Sequence, residues 1–241
     1  EIIGCRFSVG EDCIAIKSGK MELGLRFRTP ADRHTIRNCL MKFGHGAVTL
    51  GSESSAGIRN LTVEKCYFRR TDRGLRIKTR RGRGKYCNIS GVLFNDIRME
   101  GVKTPVVINE WYNCCDPDRF SEYVWSREKL PVDDRTPRLG SFTFRSLNCT
   151  DAEVAACYID GLPEAPIEEV SFQDCRISFA ENSQPGIPAM QNFAEERCRL
   201  GLYLNNVSRI RVDNVTLSGV VGDKLIASGY KELYTGNINE E

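Results

Sequence analysis

One apolar pattern recurs along the 241 residues and limits the fold more than any other feature. It reads apolar, two residues, apolar, one residue, apolar. It closes on Cys5-Arg6-Phe7, Cys39-Leu40-Met41, Cys66-Tyr67-Phe68, Ile97-Arg98-Met99, Leu147-Asn148-Cys149, Cys175-Arg176-Ile177 and Val215-Thr216-Leu217. The intervals between these triplets are 34, 27, 31, 50, 28 and 40 residues. A second short strand pattern opens eight residues after the start of each of the first four: CIAIKS, AVTLGS, GLRIKT and PVVINE. Each alternates and is bounded by turn residues, which is strand behaviour. No long segment sustains a 3.6-residue period.

Short strands at such intervals are the coils of a solenoid, in which each coil buries its inner face only against its neighbours. The expected fold is all-β, a parallel β-helix of about seven coils forming a single domain over residues 1–241. A leucine-rich repeat would be shorter and dominated by Leu. The 50-residue interval holds an insertion at about residues 109–140 with both tryptophans, Trp111 and Trp125. A long loop on one face of a solenoid is often functional.

The constant offset also says what stacks beside what. Six residues after the triplet start stand Glu11, His45 and Asp72, and one further on stand Asp12, Gly46 and Arg73. At ten stand Ala15, Thr49 and Arg76, and at twelve Lys17, Gly51 and Lys78. Equivalent residues of successive coils lie about 4.8 Å apart. Alternation sends Ile14, Ile16, Val48, Leu50, Leu75 and Ile77 inward, so Arg76, Lys78, Lys17 and Thr49 face outward on one surface. Adjacent carboxylates repel, so one tends to keep its proton while the other ionises. That division supplies a general acid and a general base, as glycoside hydrolysis requires. Arg76 offers a planar fork for a carboxylate and Lys78 a point charge, which suggests a sugar acid as ligand.

Composition excludes other classes. Hydrophobic residues make up 41% and charged residues 27%, ordinary for a globular protein. No apolar run approaches the roughly 20 residues of a membrane span. Residues 69–85, RRTDRGLRIKTRRGRGK, are strongly basic and favour an anionic ligand. A nucleic-acid binder would also use a basic stripe, but carboxylates inside the stripe would repel phosphates. The 11 cysteines are odd in number, and several occupy one place in the repeat. They read as buried thiols acting as small apolar residues. There is no CxxC pair, so no zinc site is expected.

These residues resemble glycoside hydrolase family 28, the polygalacturonases and their relatives. Gly10-Glu11-Asp12-Cys13-Ile14-Ala15-Ile16-Lys17-Ser18-Gly19 is similar to the family's Asp-Asp-Cys signature. Phe43-Gly44-His45-Gly46 with Gly51-Ser52 is similar to its Gly-His-Gly signature, and Arg76-Ile77-Lys78-Thr79 to its Arg-Ile-Lys signature. The version TDRGLRIKTRRGRG looks more bacterial than plant or fungal. The resemblance runs from residue 1 to about 220. It implies a right-handed β-helix, and hydrolysis of galacturonosyl bonds with inversion, without metal or cofactor. By position, Asp12 resembles the Asp that helps activate water, and Glu11 stands where the Asp protonating the leaving oxygen usually lies. His45 resembles the His supporting that acid. Arg76 and Lys78 resemble the pair that holds the galacturonate carboxylate, and Tyr112 a substrate-contacting Tyr.

Two departures accompany the likeness. The family's Asn-Thr-Asp motif is expected upstream of residue 1, with earlier coils and an N-terminal cap, since the chain opens inside the repeat. Glu11 is one methylene longer than Asp. Within the family, rhamnogalacturonan or xylogalacturonan are the alternative substrates, and a non-catalytic binder of acidic polysaccharide is the reading from another class. Arg80, Arg81, Arg83 and Lys85 extend the basic cluster, either as further carboxylate contacts or as a solvated turn. His34 is expected at a strand start without a nameable partner. The Asn-x-Ser/Thr sites at Asn60, Asn88, Asn148, Asn206 and Asn214 read as turn residues. Trp111, Tyr112, Phe120, Tyr123 and Trp125 are candidates to stack on sugar rings or to wall off one end of a cleft, which would make the action exo.

Overall fold

The computed structural model describes residues 1–113 and 121–239. They form a right-handed parallel β-helix, every pairing between named strands being parallel. One sheet has seven strands in the sequential order Ile14–Ile16, Val48–Gly51, Arg73–Lys78, Thr104–Asn109, Ala155–Asp160, Leu200–Asn205 and Leu225–Ser228. Each strand therefore marks one coil. The other sheet carries the long strands Ile58–Arg69, Asn88–Glu100, Ser141–Ala152, Ile167–Phe179 and Val207–Ser218.

The residue just before every one of the seven triplets is left-handed. Gly4, Asn38, Lys65, Asp96, Ser146, Asp174 and Asn214 have φ between 51° and 65°. Such a residue breaks the regular extended backbone, so each long strand has two arms. In Ile58–Arg69 the arms are residues 58–64 and 66–69, and pairing with Asn88–Glu100 skips Lys65. Gly, Asn and Asp enter this conformation readily. Lys65 and Ser146 do not, so the coils stacked on either side impose the corner on them.

Apolar residues form ladders down the inside. One runs Ile14, Val48, Leu75, Val106, Cys157, Leu202 and Leu225, each register-paired with the next. Another carries Phe94, Phe144 and Phe172, with ring centroids 6.1 and 4.8 Å apart. Such ring pairs add about 1 kcal/mol each beyond their burial. The main buried cluster runs from Cys13 to Leu217, and a small second one holds Val107, Tyr158 and Ala189. Cys13, Cys39, Cys66, Cys87, Cys149, Cys157 and Cys175 are free thiols inside the fold. Cys5 departs from that expectation, being exposed, and Cys114 and Cys115 lie outside the described residues.

Among the described residues, helix is confined to short pieces, Met21–Phe27 and Glu122–Trp125, which the sequence period did not single out. Among the described residues, no helix is long and apolar enough to cross a membrane. His34 lies within the strand Ala31–Arg37. Asn60, Asn206 and Asn214 of the Asn-x-Ser/Thr sites are left-handed, which accounts for Asn there.

Candidate active site

The outer face of the seven-stranded sheet collects the residues that the offset aligned. Thr49 pairs in register with Arg76, and Gly51 with Lys78. Asp12 sits just ahead of Ile14–Ile16 and lies between the two cations. Arg76 Nη1 donates to its Oδ1 at 3.0 Å, and Lys78 Nζ donates to its Oδ2 at 2.8 Å. Burial opposes ionisation of Asp12. The Lys78 hydrogen bond and the charges of Lys78 and Arg76 outweigh it and hold the carboxyl below its ordinary 3.8. Asp12 is thus held as a carboxylate. Glu11 faces solvent, and its backbone carbonyl accepts the His45 N–H at 3.1 Å.

The glycines flanking His45 let the coils close on one another. A Cβ at Gly44 would lie 2.5 Å from the Glu11 carbonyl oxygen and 2.7 Å from Cys13 Sγ. A Cβ at Gly46 would lie 2.3 Å from Thr49 Oγ1, 3.1 Å from Asp12 Oδ1 and 3.2 Å from Arg76 Cβ. Real Cβ atoms do not come within 3.0 Å, so the backbone contact at Gly44 requires Gly, and at Gly46 a Cβ would force Thr49 to turn and Asp12 and Arg76 to shift.

His45 is itself held. Its Nδ1 lies 2.7 Å from Asp72 Oδ2. The other oxygen of Asp72 accepts Lys103 Nζ at 3.0 Å, and Arg73 Nη1 stands 3.7 Å from Oδ2. Burial disfavours the Asp72 carboxylate, yet the His45 and Lys103 hydrogen bonds prevail and lower its pKa. His45, Asp72, Arg73, Arg76, Ile187 and Met190 line a cleft of roughly 280 Å³.

Tyr112 joins the same surface. Its backbone N–H donates to the Thr79 carbonyl at 3.1 Å, and Lys78 Nζ stands 5.5 Å from its ring centroid. Burial raises its phenol pKa. The segment around residues 186–193 makes one wall of the cleft. Arg73 donates to the carbonyls of Ile187 and Pro188 at 2.8 and 3.2 Å, and Asn109 Nδ2 to that of Met190 at 3.0 Å. Tyr112 bridges Gln191, and Phe193 packs edge-on against Trp125 with centroids 5.6 Å apart. The two long loops therefore meet beside the site.

The basic cluster is not a surface feature throughout. Arg80, Arg81 and Arg83 are fully buried, so neither the solvated turn nor an open row of carboxylate contacts describes them. Arg81 makes a fork with Glu164 at 2.6 and 2.9 Å and donates to the carbonyls of Tyr123, Ser126 and Glu128. Its guanidinium lies 4.9 Å from the Trp111 ring centroid, so Trp111 packs inside the insertion rather than on a ligand. Lys85 alone is exposed, paired with Asp134 at 2.9 Å. Tyr123 stacks under Arg135, and Phe120 lies outside the described residues. Glu110, fully buried beside this network, accepts the Leu162 N–H at 3.1 Å, and burial pushes its pKa up to about 8.

Sequence reasoning brought Asp12, His45, Arg76, Lys78 and Tyr112 to one surface. It missed Lys103 and the 186–193 wall. The 40-residue interval ahead of Val215 signalled a second long loop but not its direction. Among the described residues, no group of three or more His, Cys, Asp or Glu could hold a metal ion.

The family model described as Glycosyl hydrolases family 28 matches residues 1–198. An exopolygalacturonase from Arabidopsis thaliana is 26% identical over 195 residues, covering 79% of this chain and 38% of that protein. A polygalacturonase from Prunus persica is 26% identical over 182 residues, covering 74% of this chain and 40% of its own length. The family 28 exopolygalacturonase of Yersinia enterocolitica superposes with a TM-score of 0.66 at 18% identity, over 97% of this chain and 36% of that one. The chain thus spans about two-fifths of the length of these curated relatives. Plant proteins stand among them, so they do not favour a bacterial kinship.

Proposed function

Because the chain belongs to glycosyl hydrolase family 28, we propose that the protein hydrolyses α-1,4-galacturonosyl bonds of pectin or its oligosaccharides with inversion. The observation that carries this reading is the Asp12 carboxylate held between Arg76 and Lys78, beside the His45–Asp72 pair. An ionised carboxylate next to two cations is poised both to accept a proton and to share those cations with an incoming acid group. In the reaction, Glu11 gives its proton to the glycosidic oxygen as the C1–O bond breaks. Water attacks C1 from the opposite face and loses its proton to Asp12, so the anomeric configuration inverts. Arg76 and Lys78 hold the galacturonate carboxylate, and Tyr112 backs Lys78. The continuous core supports reading residues 1–241 as one domain.

The wall at residues 186–193 and its contact with Trp125 support exo action, because a closed end admits a chain terminus more readily than a mid-chain segment. Monomer as the first product from a long polymer is expected. A broad ladder of oligomers would reject exo action.

The decisive experiment is reducing-sugar release from polygalacturonic acid by the full-length protein, with Asp12→Asn alongside. Release by the native protein and its loss in the variant are expected. Binding of the polymer without release, from it or from rhamnogalacturonan and xylogalacturonan, would replace the hydrolase reading with that of a binding module.

A further inference from the structure

We propose that Asp72 is a positioning residue that fixes the tautomer of His45, a role that rests on the hydrolase reading above. Asp72 is ionised, so across the 2.7 Å contact it can only accept, and Nδ1 must be the donor. Nε2 is then the ring nitrogen left for the cleft that His45 lines. A carboxylate on Nδ1–H also makes Nε2 a better hydrogen-bond acceptor. An acceptor there can take a hydrogen bond from an acid O–H during the proposed reaction, the supporting part that the resemblance gives to His45.

The geometry around Asp72 makes the role specific to a carboxylate. Lys103 Nζ donates to Oδ1 at 3.0 Å, leaving Oδ2 to His45. In Asp72→Asn, the amide carbonyl turns to Lys103 and the NH2 turns to the imidazole. Two donors cannot face each other, so Nδ1 becomes the acceptor and the proton moves to Nε2. The ring then presents a donor where an acceptor was. Backbone hydrogen bonds hold both residues independently of these side chains: His45 N–H donates to the Glu11 carbonyl and Asp72 N–H to the Gly44 carbonyl at 2.9 Å. The substitution is therefore expected to leave the coil intact.

The test uses the full-length protein with 15N-labelled histidine. Long-range 15N–1H spectra at neutral pH are expected to show His45 protonated on Nδ1, and Asp72→Asn is expected to move that proton to Nε2. On polygalacturonic acid, Asp72→Asn is expected to lower kcat about 10- to 100-fold, part of what general acid–base catalysis contributes, with KM within about twofold of native. Asp72→Glu, which keeps the carboxylate, is expected to restore Nδ1 protonation and part of kcat. A native His45 protonated on Nε2, or native kcat in Asp72→Asn, would overturn the proposal. If the full-length protein releases no sugar, the hydrolase reading fails by that result, while the spectrum still decides whether Asp72 sets the tautomer.

Discussion

Lys78 donates its ammonium to Oδ2 of Asp12 at 2.8 Å, across 66 residues of sequence. The contact joins coils that are not adjacent, since Val48–Gly51 lies between their strands. Gly51, paired in register with Lys78, has no side chain to intervene.

The contact has a pH signature. A carboxyl whose folded pKa lies below its unfolded value contributes stability that is complete above the unfolded value, 3.8 for Asp, and is lost as pH falls through the folded value. The native Tm is therefore expected to exceed that of Asp12→Asn near neutrality, with the difference shrinking below about pH 4. A scan of Tm against pH for both proteins checks it.

Lys78→Met removes one of two cations, and Arg76→Met the other. Each is expected to raise KM for polygalacturonate at least tenfold, since a charge-assisted hydrogen bond contributes about 1.5–3 kcal/mol. Substrates with esterified carboxyls are expected to show little change between native and variant. Initial rates on polymers of graded esterification measure this.

Gly46→Ala places a methyl group 2.3 Å from Thr49 Oγ1 and 3.1 Å from Asp12 Oδ1. Asp12 must then give by a few tenths of an ångström, and kcat is expected to fall by less than the roughly 100-fold that a 1 Å misplacement costs. Unchanged turnover in a folded Gly46→Ala protein would mean that Asp12 is not positioned by this packing.

Arg81→Ala leaves Glu164 buried without its counter-charge. Breaking a buried pair costs about 3–5 kcal/mol. Arg81→Lys is expected to recover little of it, because the fork and three carbonyl contacts need the planar guanidinium. Urea unfolding, with limited proteolysis of residues 121–135, measures both effects.

Glu110 has the opposite sign. A carboxyl raised from 4.5 to about 8 contributes fully below 4.5 and loses that contribution as pH rises towards 8. Glu110→Gln is expected to gain in Tm over the native protein between pH 5 and pH 8, which thermal melts at several pH values record.

The fold was legible because its determinants are local and repeated. Cys66 and Ile97 lie in register where the triplets aligned them. The corner was legible too, in retrospect: Asn38, Asp96, Asp174 and Asn214 are residue types that accept a left-handed backbone, each one place before a triplet. The core of the site followed from the same offsets, which set Thr49 beside Arg76. The buried arginines were not legible. The partner that takes Arg81 inside, Glu164, lies 83 residues away in a segment without a repeat signal. The hydrogen bond between Asp72 and His45 was half visible. Both stood at the same offset, but side-chain direction after a turn does not follow from strand alternation.

A left-handed corner ahead of each triplet separates what can vary from what cannot. The stretch from corner to the strand of the seven-stranded sheet keeps one length in the first four coils, whereas the return path varies and in one coil carries the segment that walls the cleft. Insertions and deletions on the return path change the depth and closure of the groove, hence which chain ends or branches it admits. They leave the spacing of Asp12, His45, Arg76 and Lys78 untouched. The walls of the groove and the side chains aligned on the sheet thereby lie on separate parts of the same turn, so either can drift in evolution without disturbing the other.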